Sequence, residues 1–338
     1  MTILLSDDIP VSQHSRRLPF VEQKIVENQI QEWLNANIIK PSCSDYAAPI
    51  ILCKKENGEH RLCVDYRNLN RKMIKDKFSL PLIEEVLDKL ENSKVYTSLD
   101  LKNGFFHVPM DPNRTKYTSF VTHEGQYKFL RVPFGLSNSP SVFQRFIYTV
   151  FRKLIRDNIL IVYMDDLLIP SQNEAEGLNK LRLVLQTAAD FGLELNLKKF
   201  HFLQRKMEFL GYIIENGTIK PSPSKTQAVQ NFPQPQTPRQ LQSFIGLTSY
   251  FRKFIPNYAR IARPLSDLLR DNVKFKFSPT EIASFQELKN ILSENPVLHV
   301  FQQGYPLELH TDASSLDFGA VLLLKYDDGL FHPLYPLF

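Results

Sequence analysis

The 338-residue sequence contains no run of about 18 apolar residues, so no segment is expected to cross a membrane as a helix. Its start, Met-Thr-Ile-Leu-Leu-Ser-Asp-Asp, has no basic region and only a short apolar patch, unlike a secretory signal. Cysteine is scarce: Cys43, Cys53 and Cys63 are an odd number, with no Cys-x-x-Cys pair and no His at zinc-site spacing. A disulfide framework and a structural zinc are therefore disfavoured, and a reducing intracellular setting, cytoplasmic or nuclear, fits. No internal repeat, low-complexity tract, Asp-Thr-Gly or Asp-Ser-Gly protease signature, or His/Cys integrase-type module is present.

What is present suits a folded chain of several subdomains. Hydrophobic residues make up 43% and charged residues 23%, well outside disordered composition. Lys plus Arg exceeds Asp plus Glu by 41 to 36, which permits a nucleic-acid partner without requiring one. Residues 1–20 read as a polar, extended arm. Apolar steps of three and four from Val21 to Ile38 predict an amphipathic helix. Two apolar runs, Ala47–Cys53 and Arg61–Tyr66, flank a turn-like segment and predict a hairpin. Helices are predicted over Leu82–Leu90, over Ser139–Ile155 behind Ser139 and Pro140 as cap and first-turn proline, and over Ala175–Phe191. Val95–Leu101 reads as a strand, Ile159–Ile169 as a buried hairpin, and Met207–Ile214 with Gly217–Lys220 as a hairpin about Asn216-Gly217. Five prolines between Pro221 and Pro238 suggest a boundary. Beyond it lie a helical pattern from Leu241 to Phe251, in a region decorated by Arg239, Arg252, Lys253, Arg260, Arg263 and Arg270, and a strand-like stretch from Pro306 to Leu324.

The chemistry resides in carboxylates set in apolar sequence. Tyr163-Met164-Asp165-Asp166 sits inside Ile159–Ile169. Adjacent carboxylates there would repel one another and lose hydration, a cost of several kcal/mol per ion unless a cation compensates. An isolated Asp-Asp pair is commonly just a hydrated turn. Asp100, however, closes the apolar strand Val95-Tyr96-Thr97-Ser98-Leu99, 65 residues earlier. If the two strands are neighbours, Asp100 and Asp165 meet at one edge in the outline of a two-metal site. Ions roughly 3.5–4 Å apart would there clamp both oxygens of an in-line phosphoryl displacement. Mg²⁺ is the natural ion for oxygen ligands, with Mn²⁺ as the alternative. Adjacent strand residues point apart, so Asp166 takes the supporting place.

Several motifs, in order, resemble the reverse transcriptases of gypsy-type LTR retrotransposons and of retroviruses, over about residues 10–330. They are Arg61–Asn70 in the fingers, Ser98–Phe106 with Asp100, Pro133–Pro140, Tyr163–Asp166, Leu195–Lys199, and Phe209-Leu210-Gly211-Tyr212. The resemblance implies an α+β, right-hand polymerase followed by a truncated RNase H-like α/β fragment. Its parts would be an arm over 1–20, fingers and palm over 21–220, thumb over 221–285 and the RNase H-like segment over 286–338. It implies an RNA-directed DNA polymerase from a Pol polyprotein, using a template with primer, deoxynucleoside triphosphates and two Mg²⁺. Other Pol and Gag products are possible companions, within virus-like particles.

By the same resemblance Asp100, Asp165 and Asp166 are the metal-binding catalytic acids, and Lys199, or its neighbour Lys198, is the general acid for pyrophosphate. Lys54, Lys55 and Arg61 would face the triphosphate, Phe105 would exclude a ribose 2′-hydroxyl, and Phe134 and Gly135 would line the nucleotide. Phe at 134, where many retroviral relatives carry Gln, favours the retrotransposon branch. Phe209, Leu210, Gly211 and Tyr212 would grip the primer by backbone and aromatic contact. Asp312, in Leu307–Ser314, resembles the first acid of an RNase H site. One Asp cannot hold two ions, so RNase H activity is not expected from this chain. The rival reading is a transposon-derived remnant that binds nucleic acid without turnover.

Overall fold

A computed structural model describes residues 1–54, 58, 60–90, 93–271, 273–294, 298–299, 304–313, 318–325 and 329–336. In chain order the elements begin with helix α1 (Phe20–Asn35), strands β1 (Ile39–Pro41), β2 (Ala48–Lys54) and β3 (His60–Val64), and helices α2 (Arg67–Lys72) and α3 (Ile83–Asp88). Strands β4 (Val95–Asp100), β5 (Phe120–Val121) and β6 (Gln126–Phe129) follow, then helices α4 (Ser139–Val150) and α5 (Arg152–Arg156), the hairpin β7 (Ile161–Tyr163) and β8 (Asp166–Ser171), and helix α6 (Glu174–Asp190). Next come β9 (His201–Gln204), β10 (Lys206–Phe209), β11 (Tyr212–Glu215), β12 (Thr218–Pro221) and helices α7 (Pro223–Gln230), α8 (Pro238–Ser249), α9 (Tyr258–Asp267) and α10 (Pro279–Ser293). The last strands are β13 (Leu298–His299), β14 (Leu307–Ala313), β15 (Phe318–Lys325) and β16 (Phe331–Pro336).

The chain forms two compact units interleaved in sequence. One comprises 1–81, 98–169 and 180–200, the other 82–97, 170–179 and 201–338. In the first, a five-stranded sheet of order β1-β6-β5-β2-β3 packs on α1, whose Val26 and Ile30 are buried. Asn37, in the left-handed region at φ 52°, ends α1: its N–H donates to Leu34 O and that of Ile38 to Trp33 O, satisfying two last-turn carbonyls. The arm is extended as its polarity suggests, yet anchored. Ile3 is wholly buried, and Leu5 and Ser12 form bridges to Met73 and Ala47. The predicted helix over Ser139–Ile155 divides at Phe151 into α4 and α5. Its cap position is Asn138 rather than Ser139, whose hydroxyl instead donates to Pro133 O. The hairpin β7-β8 pairs Tyr163 with Asp166, and β8's other neighbour is β4.

In the second unit β10, β11, β12 and β13 form an antiparallel sheet. The run from Met207 to Ile214 is thus two strands, broken where Leu210 and Gly211 take positive φ of 48° and 76°. The proline-rich stretch holds a helix, α7, because Pro223 occupies its first turn, where a missing N–H costs nothing. Helices α7 to α10 bury Val229, Leu241, Phe244, Leu265, Leu288 and Leu292, with Phe244 and Phe285 in ring contact at 4.5 Å. Ser278 and Glu281 form a capping box that starts α10. Strands β14, β15 and β16 make an antiparallel sheet in which Asp312 pairs with Gly319; the Asp312 side chain lies outside the described residues. Among the described residues no helix is long and apolar enough to cross a membrane.

Candidate active site

Two adjoining strand ends carry the acids. Asp100 is the last residue of β4, and Asp165 lies in the two-residue turn between β7 and β8. Leu101 N donates to Asp165 O at 3.3 Å, tying the strand end to the turn. Met164 completes that turn in the left-handed region at φ 55°, a costly place for its side chain. It is held by Gln144, fully buried on α4, whose Oε1 accepts from Met164 N at 2.7 Å while its Nε2 donates to Val162 O at 3.4 Å. Sequence reasoning missed Gln144. Its signal was a polar residue between the buried Phe143 and Ile147 on an apolar helix face.

The electrostatics of the acids ask for a cation. Among the described residues, Asp165 Oδ1 is buried without a hydrogen-bond partner. Burial first, then the charges of Asp100 and Asp166, push the Asp165 carboxyl up to about 6. Asp166 opens β8 and is raised in the same direction by desolvation and by Asp100. Lys199 supplies a positive charge, its Nζ bonding Asp100 Oδ2 at 2.8 Å; that bond raises the lysine's own pKa. Asn196 adds its N–H to Asp100 O at 2.8 Å and its side-chain amide to Asp100 Oδ1 at 3.4 Å. A buried, orphaned carboxylate oxygen among mutually repelling acids is a donor set that fits a hard divalent ion. Among the described residues, the ligand triplet whose donor atoms all lie within 4.8 Å is elsewhere, at Glu27, His123 and Glu124 near the surface, where His123 and Glu27 already pair at 3.2 Å.

Around the acids opens a cleft of about 830 Å³, lined by Arg61, Asp100, Gly104, Phe134, Asp165 and Lys199 among others. Phe105 sits in a short 3₁₀ turn, 7% exposed, with its ring 4.8 Å from Phe134 and 5.2 Å from Phe143. The Arg61 guanidinium lies over the Phe134 ring at 4.5 Å, and Phe134 in turn contacts Phe105 at an interplanar angle of 44°. Gly135 has φ 92°, and a Cβ there would meet Val64 O at 3.2 Å. Asn70, a second residue missed from sequence, clamps this turn: its Nδ2 donates to Gly135 O at 2.8 Å and its Oδ1 accepts from Ser137 N at 2.8 Å. Lys54 is exposed at the end of β2, opposite His60; Lys55 lies outside the described residues.

Within the second unit, Phe209 and Tyr212 face inward, 4% and 1% exposed. Aromatic contact of these rings with a primer is therefore corrected: the tight turn between β10 and β11 sends both rings into the interior and presents Leu210 and Gly211 instead.

The strand pairing brings Asp100 and Asp165 together at the cleft. Residues 53–214 match the family described as reverse transcriptase (RNA-dependent DNA polymerase), and residues 277–335 match the RNase H-like domain found in reverse transcriptase. The chain is 40% identical over 303 residues to the retrovirus-related Pol polyprotein from transposon 297 of Drosophila melanogaster, covering 88% of this chain and 28% of that protein. It is 39% identical to the Pol polyprotein from transposon opus and 36% to that from transposon gypsy of the same organism, covering 96% and 95% of this chain and 34% and 33% of theirs. The chain thus spans about a third or less of these relatives' length. Among solved structures it resembles the foamy viral protease-reverse transcriptase in complex with dsDNA, with TM-score 0.84 and 24% identity, covering 99% of this chain and 70% of that one. The same viral protein in complex with an RNA/DNA hybrid gives 0.80 at 23% identity, covering 98% and 45%. Residues 53–214 thus belong to the reverse transcriptases, and the relatives named above are retrovirus-related Pol polyproteins of transposons.

Proposed function

We propose that the chain is an RNA-directed DNA polymerase that adds deoxynucleotides to a primer 3′-hydroxyl on an RNA or DNA template. The observation that carries this is the buried, unpartnered Oδ1 of Asp165 beside Asp100 at the floor of the cleft. Asp100 and Asp165 would hold the two divalent ions, Mg²⁺ or Mn²⁺, with Asp166 supporting. Bound there, the ions supply activation of the 3′-hydroxyl and neutralisation of the triphosphate.

The chain's own residues do the rest. Arg61, its guanidinium over the Phe134 ring, would present N–H groups to the triphosphate as a fork, with Lys54 and Lys55 adding charge. Phe105, packed behind the cleft-lining Phe134, would lie under the sugar, where a 2′-hydroxyl would collide with the ring. Gly135, clamped by Asn70, lets backbone approach the nucleotide. Lys199, held protonated by Asp100, carries a proton at Nζ that it can offer to the departing pyrophosphate once turned from the aspartate. The Leu210-Gly211 turn would seat the primer terminus through its backbone. We assign fingers and palm to 21–220, thumb to 221–285 and the RNase H-like part to 286–338. The proposed activity is polymerisation, carried out in the cytoplasm within virus-like particles.

The test is extension of oligo(dT) on poly(rA) with dTTP and Mg²⁺, comparing the wild type with Asp165→Asn. Extension by the wild type and its loss in the variant support the reading. A folded wild type that binds the duplex but extends nothing would favour a non-catalytic remnant instead.

A further inference from the structure

The β10–β11 turn is an unusual piece of backbone for the task just assigned to it. Leu210 occupies the left-handed region at φ 48° although it carries a branched side chain, and Gly211 follows at 76°. Such a turn persists only where its surroundings hold it. Here the holding group is Tyr250, the residue that caps the C-terminal end of α8. Its hydroxyl donates to Leu210 O at 2.5 Å. Its ring stacks on Tyr212 at 5.4 Å with an interplanar angle of 23°. Tyr212 returns the contact by donating its own hydroxyl to Tyr250 O at 3.1 Å. A Cβ built on Gly211 would lie 3.6 Å from Tyr250 Cε1, so the turn backbone rests directly on the tyrosine ring. The next carbonyl, Gly211 O, accepts from Ser222 N at 2.9 Å. Lys253 Nζ sits 4.8 Å from the centre of the Tyr212 ring, adding a cation–π contact to the same cluster.

We propose that Tyr250 is a positioning residue for the primer terminus. Its hydroxyl fixes the Leu210–Gly211 peptide plane and couples it to α8, so that the turn presents one conformation to the primer. The inference rests on reading this turn as the primer grip. It predicts a specific kinetic signature. A turn that no longer holds its peptide plane still binds duplex through the other contacts, yet it misplaces the 3′-hydroxyl, and misplacement of the order of 1 Å costs up to about a hundredfold in rate.

Tyr250→Phe removes one oxygen and keeps the stacked ring. In single-turnover extension, the Tyr250→Phe enzyme is expected to lose about tenfold in the maximal rate, with the template–primer Kd and the dTTP KM each within about twofold of wild type. Tyr258→Phe is the control, because that hydroxyl contacts Thr248 on the same helix but not the turn. It should leave the rate unchanged. A rate for Tyr250→Phe equal to wild type, or an equal loss in Tyr258→Phe, overturns the inference. A Leu210→Cys enzyme, offered a primer with a disulfide-activated tether at its 3′-terminal phosphate and compared with wild type as the blank, tests the underlying reading separately. A specific crosslink supports the turn as primer grip. No crosslink above the blank overturns the grip assignment itself, whatever Tyr250→Phe does.

Discussion

Gly104 offers the sharpest test of the proposed catalytic geometry. A Cβ placed on it would lie 2.8 Å from Asp165 Oδ1, 2.9 Å from Phe143 Cζ and 3.3 Å from Asp165 Cγ. Ordinary contact begins at 3.4 Å, so Gly104→Ala requires about 0.6 Å of movement (3.4 less 2.8). Phe143 is wholly buried and gives way with difficulty. The Asp165 carboxylate is the mobile partner and should turn away. Since misplacing a reacting group by about 1 Å can cost 10²-fold, roughly 0.6 Å should cost about 10- to 50-fold in kcat. The KM for dTTP should stay within about threefold, and overpacking should destabilise the fold by about 1–3 kcal/mol. The assay is steady-state extension of oligo(dT) on poly(rA), run beside thermal melting. Adding Phe143→Leu separates the two clashes: it relieves the ring contact and leaves the Asp165 contact, so stability should recover in part and kcat should not. A Gly104→Ala enzyme that folds normally with wild-type kcat would refute the reasoning, and so would full recovery of kcat by Phe143→Leu.

Other expectations follow from the same geometry. Gln144→Leu leaves the Met164 N–H unsatisfied at a strained position, at a cost of about 1–3 kcal/mol by melting, and should slow extension at least tenfold. Asp165, raised to about 6, binds its proton more tightly folded than unfolded. It therefore favours folding at acid pH, and that contribution is lost as pH rises from ~3.9 through about 6. The increase in Tm on adding Mg²⁺ should consequently be larger at pH 7.5 than at pH 5, and Asp165→Asn should abolish that difference. Asp65 has the opposite sign. Hydrogen bonds from Arg67 and then Arg16 hold it below the ordinary carboxylate range, so its contribution is present above ~3.9 and is lost as pH falls below that; Asp65→Asn should flatten the acid limb of the stability curve. In the Phe105→Val enzyme, incorporation of UTP relative to dTTP should rise at least tenfold. No gain would remove Phe105 from the sugar-discriminating role.

Much of this molecule is written in local pattern. The steps of three and four that start at Val21 become α1, the two apolar runs flanking a turn-like segment become the hairpin β2-β3, and the apolar run with two embedded acids becomes β7-β8. Patterns of this kind are legible because each residue's environment is set by neighbours a few positions away. Composition is read less directly. The proline-rich stretch is not all loop: Pro223 opens a helix, since proline breaks a helix interior but suits its first turn.

The sequence by itself singled out the acids on which the proposed function rests and the kind of strand they ride on, because carboxylates in apolar runs have few tolerable explanations. Only the tertiary structure decided how they are held. The pairing of Lys199 with Asp100 spans 99 residues, and that of Asn70 with Gly135 spans 65. The inward turn of the Phe209 and Tyr212 rings depends on two positive-φ residues between them. No local pattern encodes such contacts. They arise where separately specified elements meet, and the hydrogen bonds that strained turns and buried polar groups require are then supplied by whatever side chain the packing brings within reach.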